Sequence, residues 1–216
     1  MGTAEIIQQD VLLIQSHIIT YGNMADENIS QQIADEIETM WNDPQAAINY
    51  KGNNYTVVFR ITASCNPAIE PEEILGNTNP LNNYFRIEEK AIGNISFVDG
   101  LGCNTGYFQY DNLYKGSTTA AHEYGHTLGL PHPHDLDIRG QGTPGIMYPR
   151  GTLVDAEFQY DPNMPAGLKG GTMHPMYRRV RRQDVYDLQL HKLMLTGQAI
   201  VGNFSSNWHP PFGVNS

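Results

Sequence analysis

Two histidines four residues apart, His122 and His126, with a third at His132, restrict this 216-residue chain more than any other feature. Residues four apart share one face of an α-helix, so a helix from Thr118 to Leu130 aims both imidazoles at one point. The string reads His122-Glu-Tyr-Gly-His126-Thr-Leu-Gly129-Leu-Pro-His132 and contains its own exit from that helix. Gly129 tolerates left-handed backbone, and three residues later His132 can turn back to the same point. Three imidazole ligands leave one tetrahedral position open for water, which distinguishes a catalytic zinc site from a closed structural one. Such a set also suits copper, iron or nickel. The carboxylate of Glu123, placed to polarise water and not to coordinate, points to a single catalytic Zn2+ and to hydrolysis.

Composition narrows the field. Thirteen basic residues against 23 acidic ones give a net charge of −10, a surface that repels phosphate backbones, so nucleic acid is excluded as a partner. No apolar run is long enough to span a membrane. The most apolar early stretch, Val11 to Ile19, is interrupted by Gln15, Ser16 and His17 and lacks a preceding basic segment, so it makes a poor signal peptide. The basic cluster Arg178, Arg179, Arg181 and Arg182 reads as the solvated start of a helix. Two cysteines, Cys65 and Cys103, leave open one bridge or two free thiols.

Patterning predicts a mixed α/β chain. Asp10 to Tyr21 and Tyr55 to Ala63 read as strands. Tyr84 to Glu88, Asn94 to Val98 and Gly106 to Tyr110 read as three short strands, the last two joined by a tight glycine-rich connection. Between Asn28 and Trp41, apolar residues recur at helical spacing, with Glu27, Glu36 and Glu38 off the apolar face. Residues 131–177 are irregular, and irregular structure of that length is usually functional. Val180 to Leu195 is expected to form a terminal helix, with an extended tail from Asn203. One domain over 1–216 is expected, with an N-terminal lobe at 1–131 and a C-terminal lobe at 132–216.

The His122–His132 string matches the extended zinc motif of the metzincin metalloproteases. Pro144-Gly-Ile-Met147-Tyr-Pro149 resembles that clan's methionine turn, and its Met-Tyr-Pro is similar to the matrixin branch in particular. The resemblance implies a twisted mixed sheet with two helices in an upper lobe, and an irregular lower lobe ending in a helix. It implies a zinc endopeptidase acting on proteins or peptides, with His122, His126 and His132 as ligands, Glu123 as general base and Met147 beneath the metal. It further implies that the strand at Asn94–Val98 pairs with extended substrate, that Met147 to Gly151 shape the pocket after the cut bond, and that the protein acts outside the cytosol, secreted or delivered. A zinc-binding module of the same fold without activity, or the toxic domain of a larger effector, are the alternatives.

The sequence departs from the family in three places. Residues 150–177 are longer than a typical matrixin lower lobe and hold a second methionine-centred stretch, Gly171 to Tyr177. Pro149 stands where serralysins and astacins place a tyrosine ligand. No histidine and aspartate cluster precedes Gly106, so one zinc is expected. His134 reads as a surface residue; Asp135 and Asp137 read as solvated acids, with Ca2+ as the alternative.

Overall fold

The computed structural model describes residues 1–8 and 10–213. Its axis is β2 (Val11–Tyr21), buried or half-buried along its whole length, as expected of a strand covered on both faces. β2 pairs in parallel with β4 (Asn53–Cys65) along almost its whole length. Its other edge is divided between β1 (Gly2–Gln8), antiparallel over the first half, and β5 (Asn82–Glu88), parallel over the second. β3 (Ala47–Tyr50), β6 (Phe97–Val98) and β7 (Thr105–Gln109) complete the order β3-β4-β2-β5-β7-β6, and β8 (Ala199–Val201) pairs with β1. The result is a mixed α/β fold with one mixed sheet and four α-helices among the described residues: α1 (Glu27–Asn42), α2 (Pro71–Leu75), α3 (Thr119–Thr127) and α4 (Arg182–Asp187).

α1 forms where its periodicity predicts. Asp26 caps it by accepting from the Ile29 amide at 2.8 Å, and Ile29, Ile33, Ile37 and Trp41 are buried. Its polar side chains also hold it to the sheet. Glu38 accepts from the Ile61 amide at 2.7 Å, and the Asn42 amide exchanges two hydrogen bonds with the Phe59 backbone at 2.8 and 2.9 Å. α1 in turn carries α3. The Trp41 indole donates to Ala121 O at 3.1 Å and meets the Tyr124 ring edge-on, while the Tyr124 hydroxyl bonds Ser16 Oγ on β2 at 2.8 Å.

Several elements differ from the sequence reading. The strand expected over Asn94–Val98 is confined to Phe97 and Val98; Asn94, at φ 55°, belongs to the 3-10 turn Ile92–Asn94 and not to the sheet. The terminal helix expected over Val180–Leu195 is cut to α4 and a short 3-10 turn at Leu190–Lys192, with Gln189 left-handed at φ 53° between them. Val185, Leu190 and Leu195 still reach the core, through a bent path. β1, β3, β8 and α2 had no distinct pattern. Cys65 and Cys103 are free thiols. The long irregular segment holds a small core of its own, in which Ile138, Val154 and Met173 pack together.

One close approach positions α3. A Cβ added to Gly125 would lie 2.4 Å from Met147 Sδ and 3.2 Å from Trp41 Cζ2, so glycine lets Met147 pack closely beneath the helix and any larger residue forces its side chain to shift. Gly125→Ala therefore destabilises the protein by about 1–3 kcal/mol despite alanine's better helix propensity. Chemical denaturation of Gly125→Ala, Met147→Ala and the double variant checks this. The double variant should lose less than the sum of the singles, and strict additivity would contradict the clash.

Candidate metal centre

α3 delivers His122 and His126 from one helical face, and the chain leaves the helix as its sequence suggests. Leu128 caps it, Gly129 takes φ 100°, and the Leu130 amide returns to Gly125 O at 3.0 Å. His132 then comes back over the helix. Its Nε2 lies 3.1 Å from His122 Nε2 and 3.0 Å from His126 Nε2. Among the described residues these three histidines form the one group of three or more ligand-type side chains close enough to share a metal ion.

The protonation pattern follows from hydrogen bonds on the far side of each ring. His122 Nδ1 lies 2.7 Å from Ile146 O, and His126 Nδ1 lies 2.7 Å from Leu130 O. A carbonyl only accepts, so both Nδ1 atoms carry the proton and both Nε2 atoms present bare lone pairs. Facing lone pairs 3 Å apart repel unless a cation sits among them. Nitrogens at zinc bond lengths on tetrahedral corners stand about 3.3 Å apart, close to the two spacings from His132, and all three lie within 4.8 Å of one another. Burial, with the positive charge of Arg178 adding to it, lowers the proton affinity of all three rings: His122 falls well below its ordinary value and His126 to about 4. The site therefore holds neutral imidazoles, the form that binds metal. The donor set fits zinc.

Glu123 lies in the same cleft, a cavity of about 420 Å³ walled by Ile95–Val98 on one side and by Pro149, Arg150 and Arg178 on the other. Glu123 is 7% exposed, forms no ion pair among the described residues, and has the Val98 backbone amide as its hydrogen-bonding neighbour. Burial pushes its carboxyl up to about 8, against the opposing charge of Arg178. Met147 packs beneath α3, whereas Met173, in the second methionine-centred stretch, lies in the separate small core with Ile138 and Val154. His134 is exposed and stands apart from the triad. Asp137 is engaged by Arg139, its Oδ1 accepting from Nε at 2.8 Å, and Asp135 accepts from the Asp137 amide at 3.0 Å.

The basic cluster departs from the sequence reading. Arg178 is no solvated residue: it is 3% exposed and forms part of the cleft wall. Its Nε donates to Thr118 Oγ1 at 2.8 Å and its Nη1 to Tyr148 O at 3.3 Å. Nothing in Tyr177-Arg178-Arg179-Val180 distinguishes the buried arginine from its exposed neighbour. Glu36, expected on the outer face of α1, instead aims Oε1 at the Ala121 amide (3.3 Å), in the first turn of α3.

The chain matches no protein-family model and no curated protein. Among solved structures it is similar to archaemetzincin from Methanopyrus kandleri, at 13% identity and a TM-score of 0.41, over 82% of this chain and 95% of that one. It is also similar to myroilysin, at 14% identity and a TM-score of 0.31, over 60% of this chain and 54% of that one. Both are remote likenesses.

Metal binding to this preformed site stabilises the folded chain by mass action, about 2.7 kcal/mol at a free zinc concentration a hundredfold above Kd. Thermal melts of chelator-treated protein should rise with added zinc. His132→Ala, at an exposed ring, should keep the metal-free melting temperature and lose the zinc response. An unchanged zinc response in that variant would exclude His132 as a ligand.

Proposed function

We propose that this chain is a zinc-dependent endopeptidase of matrixin-like metzincin type, with one catalytic domain over residues 1–216 and the cleft between its 1–131 and 132–216 lobes. The observation that carries the reading is the convergence of three imidazole Nε2 atoms, two of them held as bare acceptors, beside the buried carboxyl of Glu123, which has no ion-pair partner among the described residues. Folding ordinarily satisfies such groups; leaving them open in one cleft suits a site that handles water and a polar substrate.

His122, His126 and His132 hold the zinc, oriented by Ile146 O and Leu130 O. Zinc, when bound, supplies Lewis acidity that polarises a carbonyl and makes water a stronger acid. Glu123 takes the proton from the attacking water onto its carboxylate and passes it to the leaving amine nitrogen. β6 is the last strand of the sheet order and borders the cleft, so its outer edge can hydrogen-bond an extended peptide. Phe97, partly exposed on that strand, and Ile95 beside it offer apolar contact to the substrate's side chains. Main-chain pairing of this kind places a peptide bond without demanding much of its sequence.

Replacing Glu123 with Gln keeps the shape and the metal ligands but removes the proton acceptor. Glu123→Gln should retain one zinc per chain by elemental analysis and lose about 10²- to 10⁴-fold in kcat/KM on a quenched fluorescent peptide. Chelation should abolish cleavage by the wild type, and zinc should restore it. Full activity in Glu123→Gln, or cleavage indifferent to chelator, would overturn the proposal.

A further inference from the structure

Two buried arginines of this fold have been treated differently. Arg86 lies against Glu88, its Nε 2.7 Å from Oε1, and donates from Nη1 to His209 O at 2.9 Å. Arg178 is buried as deeply, yet it takes part in no ion pair among the described residues. Its two hydrogen bonds go to neutral oxygens, those of Thr118 and Tyr148, and its Nη2 has no hydrogen-bond partner among the described residues. That open edge belongs to a side chain lining the cleft that holds the histidines and Glu123. Arg150 lines the same wall with its Nη2 on the neutral Asn112 Oδ1 at 2.9 Å, and it too has no carboxylate partner among the described residues. A chain of net charge −10 thus sets two guanidinium groups beside its metal centre with no carboxylate in salt-bridge contact among the described residues, although the charges of Glu123 and Glu36 act on Arg178 from further away.

We infer that Arg178, assisted by Arg150 at the cleft mouth, recognises a carboxylate on the substrate next to the bond being cut. The inference rests on the endopeptidase reading and deepens it by naming a substrate class. A planar guanidinium with one edge already anchored presents its remaining N–H groups in a fixed direction, the geometry that captures a carboxylate. The anchor at Thr118 is itself held: its hydroxyl donates to Pro175 O at 2.8 Å, and Thr118 immediately precedes α3. Arg178 is therefore registered to the same helix that carries His122 and Glu123, so a carboxylate bound there lies at a set distance from the reacting carbonyl. The wall also carries the apolar side chains of Ile95, Phe97, Val98 and Pro149, beside the polar Ser96 and Thr119, and these lower the local polarity around the pair. Two sources present this chemistry: an Asp or Glu side chain, or the free C-terminal carboxylate of a short peptide. Arg178 is a specificity-determining residue in this scheme.

The test uses zinc-loaded full chain and quenched fluorescent peptides that differ only near the cut bond, with Glu, Gln or Lys immediately after it. A second series carries Gln there and ends one residue later, as either the free acid or the amide. Wild type should favour Glu over Gln by roughly 10- to 100-fold in kcat/KM, mostly through KM, and Lys should be worst. A preference for free acid over amide, with no preference for Glu, would assign the C-terminal carboxylate as the source instead. Arg178→Gln should erase whichever preference the wild type shows, and Arg178→Lys should restore part of it, a pattern that a merely structural arginine would not produce. Arg150→Gln, at an exposed position, should weaken the preference by a smaller factor and keeps the test open if Arg178→Gln fails to fold.

Binding is measured separately by calorimetry on zinc-loaded Glu123→Gln. Tighter binding of the favoured acidic peptide that depends on Arg178, without cleavage by wild type, would sink the peptidase reading and leave this inference standing. Cleavage of all peptides at equal rates would do the reverse. Equal preference in wild type and Arg178→Gln would also overturn the role assigned to Arg178.

Discussion

The contact between Gly125 and Met147 governs the rest of the cleft. With no side chain at position 125, the 144–149 turn rises against the underside of α3 until the methionine sulfur occupies the space of the missing Cβ. At that separation Ile146 O falls within 2.7 Å of His122 Nδ1 and sets its tautomer. The same turn presents Tyr148 O to Arg178 and brings Pro149 and Arg150 into the cleft wall. Core packing and site chemistry are thus one arrangement: the spacing that buries the methionine also sets the proton on the histidine. Trp41 closes the stack from the other side by donating to Ala121 O, so the helix is held between α1 and the turn.

The treatment of charge follows a clear division. Away from the cleft a few buried groups, such as the Thr3 hydroxyl, lack a partner among the described residues, but the ionisable side chains Arg86 and His209 are paired with Glu88 and with Asp99 (3.0 Å). In the cleft the ionisable groups form no salt bridge among the described residues. Three imidazole Nε2 atoms, the Glu123 carboxyl and one edge of a guanidinium share a cavity of about 420 Å³ with no ion pair among them. An uncompensated buried ion costs on the order of several kcal/mol, and collapse of Arg178 onto Glu123 would be the simplest relief. The anchors at Thr118 and Tyr148 oppose that collapse by fixing the guanidinium through neutral oxygens. Stability is given up here and recovered in the sheet, where β2 is covered along both edges.

What the sequence determined by itself is what depends on near neighbours. A four-residue spacing on a helix, a glycine at its end and a third histidine shortly after define the triad through local geometry, and α3, Gly129 and His132 follow it closely. Apolar periodicity was equally sufficient for α1 and for the central strands β2 and β4, whose patterns are long enough to be unambiguous. Short or edge elements escaped: β1, β3 and β8 are defined by their partners, and Gln189 breaks the last helix through a backbone conformation that no residue type signals. The sequence also favours Met147 over Met173 as the methionine under α3, and the packing agrees: Met147 lies against Gly125, whereas Met173 sits in the separate small core. Only the tertiary structure separated Arg178 from Arg179, since the bond that draws Arg178 into the cleft reaches Thr118, 60 residues earlier. Spacing along the chain specifies which groups can meet on one helix; whether a charge ends in water or beside a metal site depends on partners that only folding brings near.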